Sequence, residues 1–271
     1  MLPHILISPI PLFQDNYAWL VSNTAHRTCV LVDPADGAAC LAALPADLEL
    51  VGVLTTHHHR DHSGGNAAIA AARPGLPVLC GAGEEGRVPA ATRQLAHGEA
   101  FELGGMAFTA LHTPCHTRGH VCFFMPPQQG GGAGDAPALF SGDTLFGGGC
   151  GRFFEGDAAQ MQAALGALGA LPPATRVFCG HEYTVANLRF GAAVEPGNAA
   201  IAARAAACGA LRAQGLPTVP STLAEEAATN VFMRTGEGAV RAFTHPALSL
   251  EARGALSGVE VLAKLREAKN G

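Results

Sequence analysis

The sequence predicts an α/β fold followed by a C-terminal all-helical domain, and two observations support this prediction. Up to about residue 182, short apolar runs of strand length alternate with turn signals and helix-like segments, which is typical of a β core covered by helices. After that point, Ala-rich helical patterns follow one another and are separated by Pro217, Pro220 and Pro246. We therefore expect one domain over residues 1–182 and a helical domain over residues 183–271.

The first domain is expected to consist of short strands with helices between them. The strand candidates are apolar runs bounded by turn residues, namely His4–Ile7, Ala18–Val21, Cys29–Val32, Leu50–Thr55, Val78–Cys80, Phe101–Leu103, Met106–Leu111, Val121–Met125, Ala138–Ser141 and Val177–Cys179. Gly104 and Gly105 are expected to join two of these strands in a tight hairpin. The helix candidates are Ala38–Leu44, Asn66–Ala72 and Asp157–Leu171.

The second domain is expected to be helical throughout. Ala-rich patterns predict helices at Ala199–Gln214, around Leu223–Ala228 and at Val259–Lys269. From Val185 onward no run has the pattern of a strand, so no strand is expected there. The Gly-rich segment Gln128–Pro137 lies between two strand candidates and lacks a following Lys-Ser/Thr, so we expect a structural loop and not a phosphate-binding one.

The composition restricts the classes of partner. With 48% hydrophobic and 14% charged residues, the chain can bury a core and is too uncharged to be disordered. A net charge of −5 without a basic cluster argues against nucleic-acid binding. The N-terminal apolar run is broken by Pro3, Pro9 and Pro11, so we expect neither a signal peptide nor a membrane span. The eight cysteines form no CxxC pair, and we expect reduced thiols in a cytoplasmic protein.

A histidine-rich run follows one of the strand candidates directly. It contains four potential metal ligands, His57, His59, Asp61 and His62. Side chains alternate in an extended segment, so His57 and His59 should share one side while His58 points away. A turn with Ser63 as helix N-cap and Gly64-Gly65 for close backbone approach would return Asp61 and His62 to the same place. Nitrogen and oxygen donors without thiolate suit zinc, iron or manganese and favour a catalytic site; the alternative is a His-rich surface loop.

Three further donors follow later strand candidates. They are His116, Asp143 and His181, and each lies beside a small residue or proline just after a strand. Alone, His116 or His181 could be a buried structural histidine. Together with the first cluster, these donors predict one metal centre on loops held by a rigid sheet.

At this point the residues resemble a known family. Besides the seven donors, the matching segments are Asp15-Asn16-Tyr17, TPCHTRGH from Thr113, GDTLF from Gly142, Gly149–Phe153, GHEYT from Gly180, Pro220–Leu223 and Thr229-Asn230. Over nearly the whole chain they resemble glyoxalase II, the hydroxyacylglutathione hydrolases of the metallo-β-lactamase superfamily. The resemblance implies a four-layer αβ/βα sandwich followed by a helical domain.

The resemblance also implies a dinuclear site and a reaction. One divalent ion would bind His57, His59 and His116, a second would bind Asp61, His62 and His181, and Asp143 would bridge both. Zinc is expected, with iron or manganese as alternatives. The implied chemistry is attack of metal-bound hydroxide on the thioester of S-D-lactoylglutathione, giving glutathione and D-lactate in the second step of methylglyoxal detoxification. Asp61 and Asp143 would be the catalytic residues, orienting the hydroxide while they ligate.

The resemblance further implies a glutathione-binding set. Its members are Arg152, Phe154, Tyr183, Asn187, Arg266 and Lys269. Two of them depart from the family pattern, because Lys is frequent at position 152 and Tyr at position 154. For Arg266 and Lys269 the alternative is that they complement the dipole of a C-terminal helix. Ser63, Ser141 and Cys115 are expected to be structural, and the protein is expected to be a monomer with a small-molecule partner.

Other functions on the same fold remain as alternatives. A persulfide dioxygenase with one iron resembles the chain at several motifs but usually lacks the helical tail. A lactonase is a second alternative, whereas a secreted β-lactamase would carry a signal peptide and an RNA phosphodiesterase is disfavoured by the net charge. A non-catalytic binding module would be expected to have lost ligands, and all seven positions are filled.

Overall fold

The computed structural model describes residues 4–84, 86–128 and 136–271. The strands are β1 Ile5–Leu12, β2 Asn16–Asn23, β3 Thr28–Val32, β4 Glu49–Leu54, β5 Val78–Gly81, β6 Arg93–Leu95, β7 Ala100–Leu103, β8 Met106–His112, β9 Val121–Met125, β10 Ala138–Gly142, β11 Leu145–Phe146, β12 Gly149–Cys150, β13 Arg176–Cys179 and β14 Ser221–Thr222. The helices are α1 Gly37–Ala42, α2 Arg60–Ser63, α3 Asn66–Ala72, α4 Ala158–Gly169, α5 Thr184–Val194, α6 Ala199–Ala213, α7 Leu223–Thr229, α8 Gly238–Thr244, α9 Leu250–Gly254 and α10 Gly258–Asn270, with a 3-10 helix at Val231–Met233.

Within these ranges the strands form two six-stranded sheets and a small hairpin. The first sheet has the order β1-β2-β3-β4-β5-β6, antiparallel as far as β3 and parallel from there on. The second has the order β14-β13-β10-β9-β8-β7, in which only the β10–β13 pair is parallel. The hairpin pairs β11 with β12 directly after β10. In the second sheet, β8, β10 and β13 therefore run in the same direction and end at the same edge.

The alternation of side chains along each strand produces four layers. In β3, Val30 and Val32 face a core between the two sheets, whereas Cys29 and Leu31 face a second core that includes Ile69 of α3. Large aromatic side chains fill the space between the sheets, and they include Trp19, Phe108, Phe140 and Phe178. The first sheet is thus covered by the second sheet on one face and by α1 and α3 on the other.

The outer face of the second sheet carries both α4 and the C-terminal helices. Leu139 and Val177 belong to the same buried cluster as Leu165 of α4 and Leu265 of α10. This completes the αβ/βα sandwich and joins the helical region to it through one continuous core. The predicted α/β class with a helical C-terminal part is confirmed.

Two expectations from the sequence are wrong. A strand does occur after Val185, because β14 pairs antiparallel with β13, but two residues are too few to give an apolar run. Ser63 caps no helix: it ends α2, and its hydroxyl donates to the carbonyls of His58 and His59 at 2.8 and 3.1 Å. The backbone carbonyls were the stronger local partners for this hydroxyl.

Several short elements had no sequence signal. These are β6, β11, β12, α2, α5, α8 and α9. Helix α5, for example, has Tyr183 at its N-cap without a side-chain cap hydrogen bond and contains the helix-disfavouring Gly191. Of the predicted loop Gln128–Pro137, residues 129–135 lie outside the described residues. Among the described residues, no helix combines the length and apolar character needed to cross a membrane.

Candidate active site

The seven predicted donors come together at one edge of the sandwich. The run from His57 to His62 follows β4 of the first sheet, and the other three donors follow β8, β10 and β13 of the second. Ligand atoms lie within 4.8 Å of one another in three overlapping groups, which are His57, His59 and His116; His57, His62 and Asp143; and Asp61, His62 and His181. The two sheets therefore supply one cluster from loops that are distant in sequence.

Two of these groups share no member, and the third, with His57, His62 and Asp143, joins them. In the first, His59 Nδ1 lies 2.9 Å from His57 Nε2 and 3.1 Å from His116 Nε2. In the second, Asp61 Oδ2 lies 3.8 Å from His62 Nε2 and 3.4 Å from His181 Nε2.

Asp143 lies between the two groups. Its Oδ2 is 3.4 Å from His116 Nε2, and its Oδ1 is 3.2 Å from His62 Nε2 and 3.5 Å from His181 Nε2. One carboxylate thus presents an oxygen to each group, as a bridging ligand must.

Three of the imidazoles are oriented by acceptors on their far side. The acceptors, each 3.0 Å from Nδ1, are Asp33 Oδ2 for His62, the Arg152 carbonyl for His116 and Asp15 Oδ1 for His181. A carboxylate or carbonyl oxygen can only accept, so Nδ1 carries the proton and the Nε2 lone pair faces the cluster.

The residues fit a pair of divalent cations. His62 Nε2 and Asp143 Oδ1 are buried and have no hydrogen-bond partner among the described residues. Buried polar atoms without partners are costly, and here both are lone-pair donors pointing into a set of nitrogen and oxygen ligands. Cations held by these donors would satisfy them, and the donor chemistry is that of a mixed imidazole and carboxylate site.

Burial and neighbouring charges shift the pKa values of the donors in different directions. Burial lowers the pKa of His57 below its usual range and that of His59 to about 4, which keeps both imidazoles unprotonated. Burial also lowers the pKa of His181, but the neighbouring carboxylates of Asp143 and Asp61 outweigh it and raise that pKa to about 10. A dication held by the same carboxylates would displace the proton from Nε2. The pKa of Asp61 is lowered, first by its hydrogen bond with His181. The carboxylates therefore stay ionised and supply the negative charge that a dication needs.

Sequence reasoning missed the residues that support this cluster. Asp33 is buried and accepts from both the backbone N–H and the hydroxyl of Thr56 at 2.7 Å, besides contacting His62. His120 Nε2 accepts from the backbone N–H of Asp143 at 3.1 Å, and its ring stacks on that of His57. The available signal for Asp33 was its place directly after β3, at the edge from which the donors emerge.

A cleft of about 480 Å³ opens from the donor cluster toward the C-terminal helices. Its lining includes all six residues predicted for substrate binding, which are Arg152, Phe154, Tyr183, Asn187, Arg266 and Lys269. The Tyr183 ring stacks on that of His181 with centroids 4.7 Å apart. The Phe154 ring lies against those of His59 and His116 and is 58% exposed. The donors and the predicted binding residues therefore share one cavity.

The far end of the cleft is cationic. The buried Arg266 donates to the Cys150 carbonyl at 3.0 Å and lies over the Phe232 ring. Lys269 donates to the Ala186 carbonyl at 3.1 Å, and burial lowers its pKa to about 8. Both side chains thus bond to carbonyls of other elements and line the cleft, which the helix-dipole alternative does not require.

The remaining predicted contacts differ in how much hydrogen-bonding capacity they offer. Asn187 is buried and donates to the Gly147 carbonyl at 3.0 Å, so part of its amide is committed to the β11–β12 turn. The Arg152 side chain is exposed.

Two family models match this chain and together span most of it. One described as the metallo-beta-lactamase superfamily matches residues 13–181, and one described as the hydroxyacylglutathione hydrolase C-terminus matches residues 182–271.

Full-length relatives and solved structures show the same likeness. The chain is 45% identical to a hydroxyacylglutathione hydrolase of Pseudomonas aeruginosa over 240 residues, covering 88% of this chain and 89% of the relative. It is 41% identical to one of Gloeobacter violaceus over 267 residues, covering 98% and 99%. A crystal structure titled TTHA1623 in a di-iron-bound form matches with a TM-score of 0.54 and 29% identity, covering 85% of this chain and 98% of that one.

Proposed function

Because this chain belongs to the hydroxyacylglutathione hydrolases of the metallo-β-lactamase superfamily, we propose that it hydrolyses S-D-lactoylglutathione to glutathione and D-lactate. The observation that carries this proposal is the single cleft that joins the metal-ligand cluster to a cationic end. A glutathione thioester has carboxylates on its two terminal residues and the scissile acyl group on its central cysteine. A terminal carboxylate can therefore bind the cationic residues of the cleft while the thioester lies at the donor cluster.

We propose two divalent ions per chain, with zinc as the metal. His57, His59 and His116 would hold one ion, Asp61, His62 and His181 the other, and Asp143 both, in agreement with the grouping of the donor atoms. The same ligands accept iron or manganese, and the di-iron form of TTHA1623 supports iron as the alternative. When bound, such ions lower the pKa of water and polarise a carbonyl oxygen.

The chain's own residues would position the substrate. Arg266 and Lys269 would bind a glutathione carboxylate, since both cations reach the cleft and are held in place by carbonyls. Arg152, Tyr183, Phe154 and Asn187 line the same cleft and would contact the rest of the substrate. Binding the tripeptide at these residues would hold the acyl group beside the donor cluster, and this proximity would raise the rate of attack.

Two carboxylates would orient the attacking water. Asp61 and Asp143 are ionised and face the cleft, so their oxygens can accept hydrogen bonds from a water molecule there. The thiol that leaves has a pKa of about 8.5 and can depart as thiolate, so the reaction needs no strong general acid. Ser63, Ser141 and Cys115 are committed to structural contacts, which agrees with a reaction without a protein nucleophile.

We propose further that residues 183–271 act as the substrate-binding domain, since they supply Asn187, Arg266 and Lys269. A monomer is proposed because one chain supplies every residue of the site. The buried free thiols of Cys115, Cys122 and Cys179 support a reducing compartment, the cytoplasm, where the reaction would be the second step of methylglyoxal detoxification.

The direct test compares substrates of three reaction classes. Metal-reconstituted protein is incubated separately with S-D-lactoylglutathione, glutathione persulfide and an acyl lactone, and loss of each is followed. We expect rapid thioester loss, with the persulfide and the lactone left largely unchanged. An intact thioester together with turnover of the persulfide or the lactone would overturn the proposal in favour of that alternative.

A further inference from the structure

We propose that His58, Glu84, Arg87 and Glu155 form a rim latch that positions the segment from Arg152 to Phe154 at the mouth of the cleft. The latch is a chain of hydrogen bonds linking His58, between two of the predicted metal ligands, to the loop that contains Glu155. The inference rests on the proposed function, because it assigns positioning residues for binding the same substrate.

The inner end of the latch is anchored in the protein interior. Glu84 is fully buried, and its two carboxylate oxygens contact His58 Nδ1 at 2.7 Å and the Thr117 hydroxyl at 2.6 Å. Packing around this anchor is close, since a Cβ at Gly119 would lie 2.5 Å from the carbonyl carbon of Gly83. The Glu84 loop is therefore seated directly against the loop that carries His116.

His58 has one defined hydrogen-bonding arrangement. Arg87 Nη2 lies 2.7 Å from His58 Nε2, and a guanidinium can only donate. Nε2 of His58 therefore accepts, and Nδ1 carries the proton that is donated to Glu84. His58, which points away from the other histidines of the run, thus connects the buried Glu84 carboxylate to Arg87.

The outer end of the latch holds the loop that follows Phe154. Both terminal nitrogens of Arg87 donate to the Glu155 carboxylate, and the pKa of Glu155 is lowered to about 2, first by the bond from Arg87. The Arg118 N–H also donates to this carboxylate at 2.7 Å, while the Glu155 N–H donates to the Cys115 carbonyl at 3.2 Å. Glu155 is thereby tied to the His116 loop by its side chain and its backbone.

Two residues that precede Glu155, Arg152 and Phe154, line the cleft. The Arg152 carbonyl bonds to His116, and Phe154 rests on the rings of His59 and His116 while most of its surface is exposed. An exposed aromatic ring has little packing of its own to fix it, so the latched Glu155 next to it sets its place over the cleft. A displaced rim would weaken substrate contacts and leave the metal ligands in position.

The latch can be broken at a partly exposed pair. Arg87 and Glu155 have side chains 36% and 24% exposed, and such pairs contribute little to global stability. A matched control exists in Arg93 and Glu99, with side chains 49% and 30% exposed. Glu99 also accepts from a backbone N–H, that of Ala96 at 2.8 Å, just as Glu155 accepts from Arg118.

The experiment measures binding and catalysis separately in Glu155→Gln and Arg87→Met, with Arg93→Met and Glu99→Gln as controls. The measured quantities are the Kd of the inert thioether S-methylglutathione, the KM and kcat for S-D-lactoylglutathione, and the metal content. We expect Kd and KM to rise about three- to tenfold in the latch variants, with kcat within about twofold of wild type and metal content unchanged. Arg87→Lys keeps a positive charge beside the Glu155 carboxylate and should recover part of the loss. The Arg93 and Glu99 controls should match wild type.

Three results would overturn the latch. One is a Kd and KM in Glu155→Gln equal to those of wild type. A second is an equal rise in the Arg93 and Glu99 controls, and a third is loss of metal in parallel with activity, which would place the effect on the ligand loops. Wild-type protein that leaves the thioester intact would instead overturn the proposed function, so the two failures are distinguishable.

Discussion

The two ends of the cleft are built in different ways. At the end with the donor cluster, donors come from loops after several strands of both sheets, and three imidazoles are oriented by acceptors behind them. At the cationic end, Arg266 and Lys269 come from the single helix α10 and bond to carbonyls of Cys150 and Ala186. At the first end, each donor contributes to a shared ligand set, so the loss of one affects the others. At the second end, two separate cations each retain N–H groups that can bind a substrate. Loss of a residue should therefore abolish the reaction at the first end and weaken binding at the second.

The largest effect is expected from His59→Ala. His59 Nδ1 lies within 3.1 Å of two other donor nitrogens, so its removal takes away one of the three ligands in that group. We expect kcat/KM for the thioester to fall by about a thousandfold or more and metal content to fall with it. Elemental analysis and a thioester assay on one preparation check this, with the exposed His26→Ala as control. A variant with full metal content and near-normal activity would contradict the ligand assignment.

A smaller loss is expected from Asp33→Asn, which leaves every donor in place. Asp33 accepts three hydrogen bonds, from Thr56 N–H, the Thr56 hydroxyl and His62 Nδ1, and an amide cannot accept all of them. We expect metal affinity to weaken by about 10- to 100-fold, measured by competition with a chelator. Asp15→Asn is the matched variant at a site where the side chain is 40% exposed, and it should lose less. An equal or larger loss in the Asp15 variant would show that burial of the supporting carboxylate does not matter.

At the cationic end, Lys269→Ala should act on binding. We expect the KM for S-D-lactoylglutathione to rise about tenfold, which corresponds to the free energy that one charge-assisted hydrogen bond contributes to binding. The kcat should be nearly unchanged and two ions should be retained. Lys264→Ala is the control on the same helix, because Lys264 is exposed and pairs with Glu267. A fall in kcat at constant KM would argue against a binding role for Lys269.

The smallest effect is a dependence of KM on pH. Burial lowers the pKa of Lys269 to about 8, so the ammonium is charged below that pH and loses its proton above it. KM should therefore be lowest below pH 8 and rise a few-fold between about pH 8 and pH 9.5. Lys269→Arg keeps the charge throughout this range, and a profile measured on it should be flat. The same rise in the Lys269→Arg variant would assign the titration to another group.

The two ends also differ in how far the sequence predicts them. His57 to His62 supply four donors in six residues after a strand, so local spacing alone predicts them, and His116, Asp143 and His181 each follow a strand. By contrast, Arg266 and Lys269 look like ordinary basic residues near a helix C-terminus. Their place in the cleft depends on how α10 packs against α4 and α8, which periodicity does not encode.

The supporting residues could not be predicted because their partners are distant in sequence. Asp15 meets His181 across 166 positions and Asp33 meets His62 across 29, and neither pair has a local pattern. Helix α3 was predicted at its observed bounds, since Ala-rich periodicity is local, whereas β14 depends on its pairing with β13. Local sequence patterns thus predict the helices, the strands and the donors. The residues that orient the donors are determined by contacts between elements.

The most direct test of the account is the activity of one preparation whose metal content is known. Metal-free protein is titrated with zinc, and hydrolysis of S-D-lactoylglutathione is measured at each ratio of metal to chain. We expect thioester hydrolysis that rises until two ions are bound per chain and is lost again on chelation. Full occupancy by two ions with no thioester hydrolysis, or activity complete at one ion, would contradict it.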